Sequence, residues 1–252
     1  MNGNIRKLAK EHGDGVTYLE KDSPFLEDAT EIYKNINEKA GKNGGMYNYK
    51  PGGDKHVSTR ANALMGVFSS MLGFHDDAEK IYSRLKELKG KEDLYREFYP
   101  SKEYLANEHH RTSVSASVAL LGIKLGKGDG LYDSIIGESW NGEYCNETYT
   151  KDWLSGFMDS PLMGNAFMGI LSSLFNDSKA TKFEKCVESN ESLKVIDDFA
   201  KAVFYQFNGD DRKAETFYNA GIEFQDPMGN HFTEEEALKG IYFCLKAGRS
   251  FK

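Results

Sequence analysis

The side chains best suited to chemistry stand in short polar stretches between apolar ones. Asn107-Glu108-His109-His110-Arg111 is the densest group of titratable residues in the chain, and an acid beside imidazoles suits proton transfer or metal binding. Asp54 with His56, then Asp152, Trp153 and Asp159, then His231 with Glu234 and Glu235 form three further groups, and four of the six histidines fall in these stretches. Two carboxyl groups across a cleft, one protonated as acid and one charged as base or nucleophile, are the working parts of sugar cleavage. Asp54, Glu108, Asp152 and Asp159 offer the carboxyls. Tyr47, Tyr49, Tyr104, Trp140, Tyr144, Tyr149 and Trp153 lie near them in sequence as rings on which a sugar can stack. Such rings are also ordinary core filling, and Tyr47 and Tyr49 alternate as in a short strand edge. The expected catalytic set is Glu108, Asp152, Asp54 and His110, with Tyr47, Tyr49, His56, Arg60, Arg111, Trp153, Asp159 and His231 contacting the ligand.

Other chemistries are disfavoured. Adjacent His109 and His110 point apart in an extended chain, no His-x-x-x-His occurs, and a third ligand would have to come from a remote segment such as His56 or His231, so no metal is expected. No Walker loop, dinucleotide fingerprint, serine elbow or paired Cys/His nucleophile motif is present, and no cofactor is expected. A net charge of -7 and a pI near 5.5 speak against nucleic acid, whose binding needs clustered Lys and Arg. Cys145, Cys186 and Cys244 are too scattered for a disulfide framework or a Cys-x-x-Cys knuckle, which fits a reducing compartment. Met1 to Gly15 is polar with no apolar run behind it, so neither a signal peptide nor a membrane span is expected and the cytoplasm is the default location. Asn146-Glu147-Thr148, Asn176-Asp177-Ser178 and Asn190-Glu191-Ser192 match the glycosylation pattern, by chance on that view.

The elements that must hold these groups are helices. The chain carries 32 aromatic residues, 28% charged residues and no Pro-, Ser- or single-charge-rich linker, so residues 1–252 are expected to form one folded domain. A unit recurs: a helix of about four turns, a Gly or Asn stop, then a charged amphipathic helix opening on acids. Val57 to Leu72 stops at Gly73 before His75-Asp76-Asp77, Val114 to Leu125 at Gly126, and Leu162 to Phe175 at Asn176. Leu193 to Phe207 stops at Asn208-Gly209, Thr233 to Ala247 at Gly248, and a first helix from Pro24 to Ala40, closed by Gly41, is available as partner for the last. Ser23-Pro24 and Ser160-Pro161 mark two helix starts, and Thr233-Glu234-Glu235-Glu236 has the form of a capping box. The segments around Ala61 to Ser70, Ser113 to Gly122 and Gly164 to Ser173 are small and apolar on most sides, as crowded inner helices are, whereas Asp76 to Leu88 and Asp210 to Ala220 carry a single apolar stripe.

Inner helices alternating with outer ones describe a closed α/α toroid or an open α-solenoid, and the uneven spacing of the stops favours the toroid. The stretch Gly44-Gly45-Met46-Tyr47-Asn48-Tyr49, then Pro51-Gly52-Gly53-Asp54, then Ser58-Thr59-Arg60-Ala61-Asn62-Ala63-Leu64 and Leu72-Gly73 resembles the repeat unit of α/α toroids such as protein prenyltransferases, terpenoid cyclases and six-hairpin glycosidases. The resemblance implies an all-α toroid of about five to six hairpins, with the loops entering its inner helices gathered at one rim. The prenyltransferase zinc pattern and the cyclase Asp-x-Asp-Asp motif are absent; Ile196-Asp197-Asp198 is incomplete, and Asp76-Asp77 and Asp210-Asp211 read as helix-start caps. The expected ligand is therefore a carbohydrate or similar polyhydroxylated small molecule bound in a rim cleft, with hydrolase, lyase or epimerase activity as the corresponding chemistry. The alternative is a non-enzymatic helical-repeat scaffold that binds a protein partner.

Overall fold

The protein was analysed as a computed structural model that describes residues 23–48, 57–87, 89, 94–95, 98–99, 111–128, 130–147, 162–192, 195–224 and 232–252. Among these residues the chain is all-α, with ten helices and two small two-stranded ladders. The helices are α1 (Pro24–Lys39), α2 (Thr59–Leu72), α3 (His75–Glu87), α4 (Thr112–Lys124), α5 (Leu131–Ser139), α6 (Leu162–Leu174), α7 (Ala180–Ser189), α8 (Val195–Phe207), α9 (Asp211–Glu223) and α10 (Phe232–Lys246). The strands are β1 (Lys42–Asn43), β2 (Met46–Tyr47), β3 (Val57–Ser58) and β4 (Phe98–Tyr99), with β1 antiparallel to β2 and β3 antiparallel to β4.

Local signals set most helix ends. Proline opens α1 after Ser23, where its missing N–H has no partner to lose. Ser58 and Asp210 cap α2 and α9 through side-chain oxygens that accept from Ala61 N and Lys213 N. The stops expected at Gly73, Gly126, Asn176, Gly209 and Gly248 all adopt the left-handed backbone. Two expectations need correcting. Thr233 and Glu236 form no mutual capping box: α10 begins at Phe232, the Thr233 hydroxyl donates to Asn48 O at 2.7 Å, and Glu236 is engaged by Lys239 and Asn35. Asp77 does more than open α3, since it accepts from the Tyr33 hydroxyl of α1 at 3.0 Å. The helix start expected at Pro161 lies outside the described residues, and α6 is described from Leu162. No helix among the described residues is long and apolar enough to cross a membrane.

Five helices are buried on all sides along most of their length. Every residue of α2 is buried, as are Thr112–Gly122 of α4, Leu162–Ser172 of α6, Ile196–Tyr205 of α8 and Thr233–Tyr242 of α10. For α2, α4 and α6 this is the crowding that their small residues foretold. The five pack in an order that returns to its start: α2 on α4, α4 on α6, α6 on α8, α8 on α10, and α10 on α2. Each carries a more exposed helix outside it: α3 on α2, α5 on α4, α7 on α6, α9 on α8, and α1 on α10.

Glycine sets the spacing at the seams. A Cβ added at Gly66 of α2 would fall 2.6 Å from Leu121 of α4, and one at Gly169 of α6 would fall 2.6 Å from Phe204 of α8. At Gly240 of α10 it would overlap the ring of Phe68 of α2. In each case a large side chain late in one helix enters a hole left by glycine in its neighbour, which brings the backbones closer than side chains on both would allow.

A second device recurs on the buried helices. Asn62 of α2 donates to Tyr47 O and accepts from Tyr47 N, at 3.0 and 2.7 Å, across a separation of 15 residues. Asn165 of α6 does the same to Cys145, at 2.9 and 2.8 Å, across 20 residues. Ser115 of α4 accepts from Tyr95 N at 3.2 Å, also across 20 residues. In all three the fourth residue of a buried helix holds the backbone of a segment lying ahead of it in sequence, satisfying buried peptide groups that no sheet would pair.

Gly240→Ala is expected to lower stability by about 1–3 kcal/mol through overpacking, read as a lower denaturant midpoint with an unchanged slope.

Candidate functional site

The first turns of four buried helices meet in one polar cluster. Arg60, the second residue of α2, donates from Nε and Nη2 to the two carboxylate oxygens of Glu234 of α10, at 2.9 and 3.2 Å. Its Nη1 donates to Ser113 Oγ of α4 at 2.9 Å. Ser113 Oγ in turn donates to Glu147 Oε1, and Ser113 N donates to both oxygens of Glu147 at 3.3 and 3.2 Å. The α2 cap Ser58 adds a bond to Glu234 Oε1 at 3.1 Å. The result is one connected chain: Glu234, Arg60, Ser113, Glu147.

The backbone holds Glu147 in place from two sides. Thr112 N and Oγ1 donate to the carbonyls of Glu147 and Asn146, while Asn165 of α6 clamps Cys145 two residues earlier. Gly164 of α6 lies against the carboxylate, where a Cβ would overlap Glu147 Oε2. The carboxylate thus occupies a notch between the starts of α4 and α6, and the N–H groups of a helix start favour an anion. Glu234 is fully buried and Glu147 is 8% exposed.

Of the expected site residues, the structure places Arg60 at the centre of this cluster. Arg111 is half-buried immediately before α4, its carbonyl accepting from Ser115 N. Tyr47 is fully buried: Asn62 holds its backbone, its hydroxyl donates to Asn37 Oδ1 at 3.0 Å, and Lys42 Nζ lies 4.4 Å from its ring centre. It belongs to the packed wall. Trp140 packs edge-on against Phe183 of α7, and Tyr144 is partly exposed. Asp54, His56, Glu108, His110, Asp152, Trp153, Asp159, His231 and Tyr49 lie outside the described residues.

Sequence reasoning passed over Glu147, seen only as part of a glycosylation pattern, and left Glu234, grouped with His231 and Glu235, out of the expected site because it also fitted a supposed cap. Ser113 was seen only as a small residue of an inner helix. One signal was available for Glu234: three consecutive acids at the start of an otherwise apolar helix exceed what capping needs. For Glu147 there was none, because its partner lies 34 residues away on another helix.

Further charges are buried at the start of α8. Asp198 and Lys201 are largely buried, and burial pushes the carboxyl of the first up and the ammonium of the second down. Lys201 Nζ donates to Asn190 O at 2.6 Å and lies 4.6 Å from the Phe217 ring centre, tying α8 to the end of α7 and to α9. The three cysteines are buried thiols. Burial pushes Cys145 and Cys244 up to about 12, which suppresses the reactive thiolate.

No protein-family pattern matches this chain. No curated protein matches it in sequence either. Solved structures of similar fold include one described as a novel alpha-amylase from Clostridium perfringens, with a TM-score of 0.55, 10% identity, and coverage of 90% of this chain and 99% of that one. At that identity the likeness is one of fold.

Glu234→Gln leaves the Arg60 charge buried beside an uncharged amide and is expected to cost on the order of 3 kcal/mol; replacing both residues by apolar ones of similar volume should restore most of the loss in chemical denaturation. The native protein is expected to resist thiol alkylation at neutral pH, all three cysteines labelling only after unfolding, as mass spectrometry would record.

Proposed function

We propose that the chain is an α/α toroid of five hairpins whose mouth, at the starts of the buried helices, binds a carbohydrate and cleaves it by acid/base chemistry between carboxyl groups. The observation that carries this reading is the chain from Glu234 through Arg60 and Ser113 to Glu147, three charged groups joined at the starts of the buried helices. Desolvating three charged groups costs several kcal/mol per ion before pairing returns any of it, and an apolar seam of the same volume is as stable or more so. Such a cluster is retained where charge is needed.

Glu147 is the carboxylate set in the notch between α4 and α6, and it serves as the charged partner of the reaction. The second carboxyl comes from the segments leading into those same helices: Glu108 precedes Thr112 by four positions and Asp152 precedes Leu162 by ten. Asp54, His56 and Arg60 at the entry to α2, His110 and Arg111 at α4, Trp153 and Asp159 at α6, and His231 at α10 contact the sugar. A carboxyl that must give up a proton and one that must stay charged need different surroundings, and Glu147, on the N–H groups of a helix start, has those of the charged one. The fold likeness to a protein described as an alpha-amylase makes an α-linked glucan the first substrate to try.

The test is release of reducing ends from amylose and maltooligosaccharides by the wild type and by Glu147→Gln, Glu108→Gln and Asp152→Asn. Loss of Glu147 and of one of the other two is expected to lower kcat by about 10²–10⁴-fold with unchanged melting temperature. Failure of the wild type to bind or cleave any member of a broad glycan panel would overturn the reading.

A further inference from the structure

Arg60 does not touch Glu147, yet the geometry between them leaves little freedom. A guanidinium has only donors to offer, so the bond from Arg60 Nη1 obliges Ser113 Oγ to act as acceptor. A serine hydroxyl carries a single proton. With its oxygen taken by Arg60, that proton is directed to Glu147 Oε1. Glu147 then receives a hydroxyl donor and a backbone N–H from the same residue at the start of α4. Donors aimed at a carboxylate favour its charged form.

The other groups around the notch are compatible with that direction. α4 brings the Arg111 position at its entry, α2 brings Arg60, and α10 brings Glu234, whose charge is engaged by Arg60. α6 brings Gly164 and carries no charged residue from Leu162 to Leu174, and the segment itself brings the Cys145 thiol, held neutral by burial.

We propose that Arg60 is a positioning residue for the reaction: held by Glu234, it fixes the Ser113 hydroxyl so that Glu147 is kept oriented and ionised. This inference rests on the glycosidase reading for its consequence in catalysis, although the proton relay itself does not. The relay explains why one arginine is shared by three helices. Its Nε and Nη2 grip α10, its Nη1 steers the α4 serine, and the last buried helix of the chain thereby sets the state of a carboxylate that it does not contact.

The test needs a readout independent of turnover. In protein labelled with ¹³C at the glutamate carboxyls, the Glu147 resonance is the one that disappears in Glu147→Gln, and its pH titration is followed in wild type, Ser113→Ala, Ser113→Thr and Arg60→Lys. Ser113→Ala should raise the midpoint by about one unit or more as the hydroxyl donor is lost. Ser113→Thr, which keeps the hydroxyl, should restore it, and Arg60→Lys should shift it upward although that residue is a bond removed. Should Arg60→Lys not fold, the serine pair decides alone. A midpoint unchanged in Ser113→Ala would overturn the relay, as would one that rises equally in Ser113→Thr. The acid limb of the pH profile for amylose cleavage should move with the midpoint while KM stays constant. A resonance that shifts as expected in a protein with no action on any glycan upholds the relay and removes only the glycosidase reading.

Discussion

One guanidinium joins the beginning of the buried ring to its end. Arg60 leaves the first turn of α2 and grips Glu234 in the first turn of α10, while the same side chain reaches Ser113 of α4. A lysine could not do this, because only a planar fork can donate along two parallel lines to a carboxylate and keep a third donor for another partner. The contact depends on backbones that come close, and the seams are correspondingly cut back to glycine at Gly66, Gly164, Gly169 and Gly240. Small residues in the helix middles and a forked cation at their starts are two parts of a single solution to packing parallel helices side by side.

That solution separates strength from chemistry. The seams between the helices are filled by Phe68, Phe199 and Phe204, all buried, and there the hydrophobic effect does the holding. At the helix starts, polar residues replace them, and each is tied to another: Ser58 caps α2 and donates to Glu234, Thr112 pins the Asn146 and Glu147 carbonyls, and Ser113 bridges arginine and glutamate. Groups tied in this way keep fixed directions without water to solvate them, which is the condition under which charges act strongly on a bound molecule.

The sequence made the helices legible and most of the cluster illegible, for a physical reason. Helix ends are local: a glycine after a helix acts within a few residues, so Gly73, Gly126 and Gly248 were read correctly, whereas the helix expected from Val57 begins at Thr59 behind its cap Ser58. Crowding is nearly local as well, since a run such as Ala61 to Ser70 has no wet face to offer. The pairing of α1 with α10 was also anticipated, since the helix from Pro24 was offered as partner for the one that stops at Gly248. The contacts of Arg60 are of another kind. Glu234 is 174 residues away from it and Ser113 is 53, and nothing in either neighbourhood encodes the meeting. Arg60 was picked as polar and near a helix start; Glu147 and Glu234 were passed over because each also fitted a commonplace local motif.

The outer partner of α10 is α1, so this pair joins segments far apart in sequence, and Asn35 bonds Glu236 across 201 residues. During synthesis α1 emerges long before α10 exists and keeps its apolar stripe, Leu26, Ala29, Tyr33 and Ile36, without the surface that finally covers it. Contacts so distant in sequence form late, because the loop they close is the costliest one in the chain. The covered face of α1 therefore waits on α10, and the link from Arg60 to Glu234 exists only once α10 has been made.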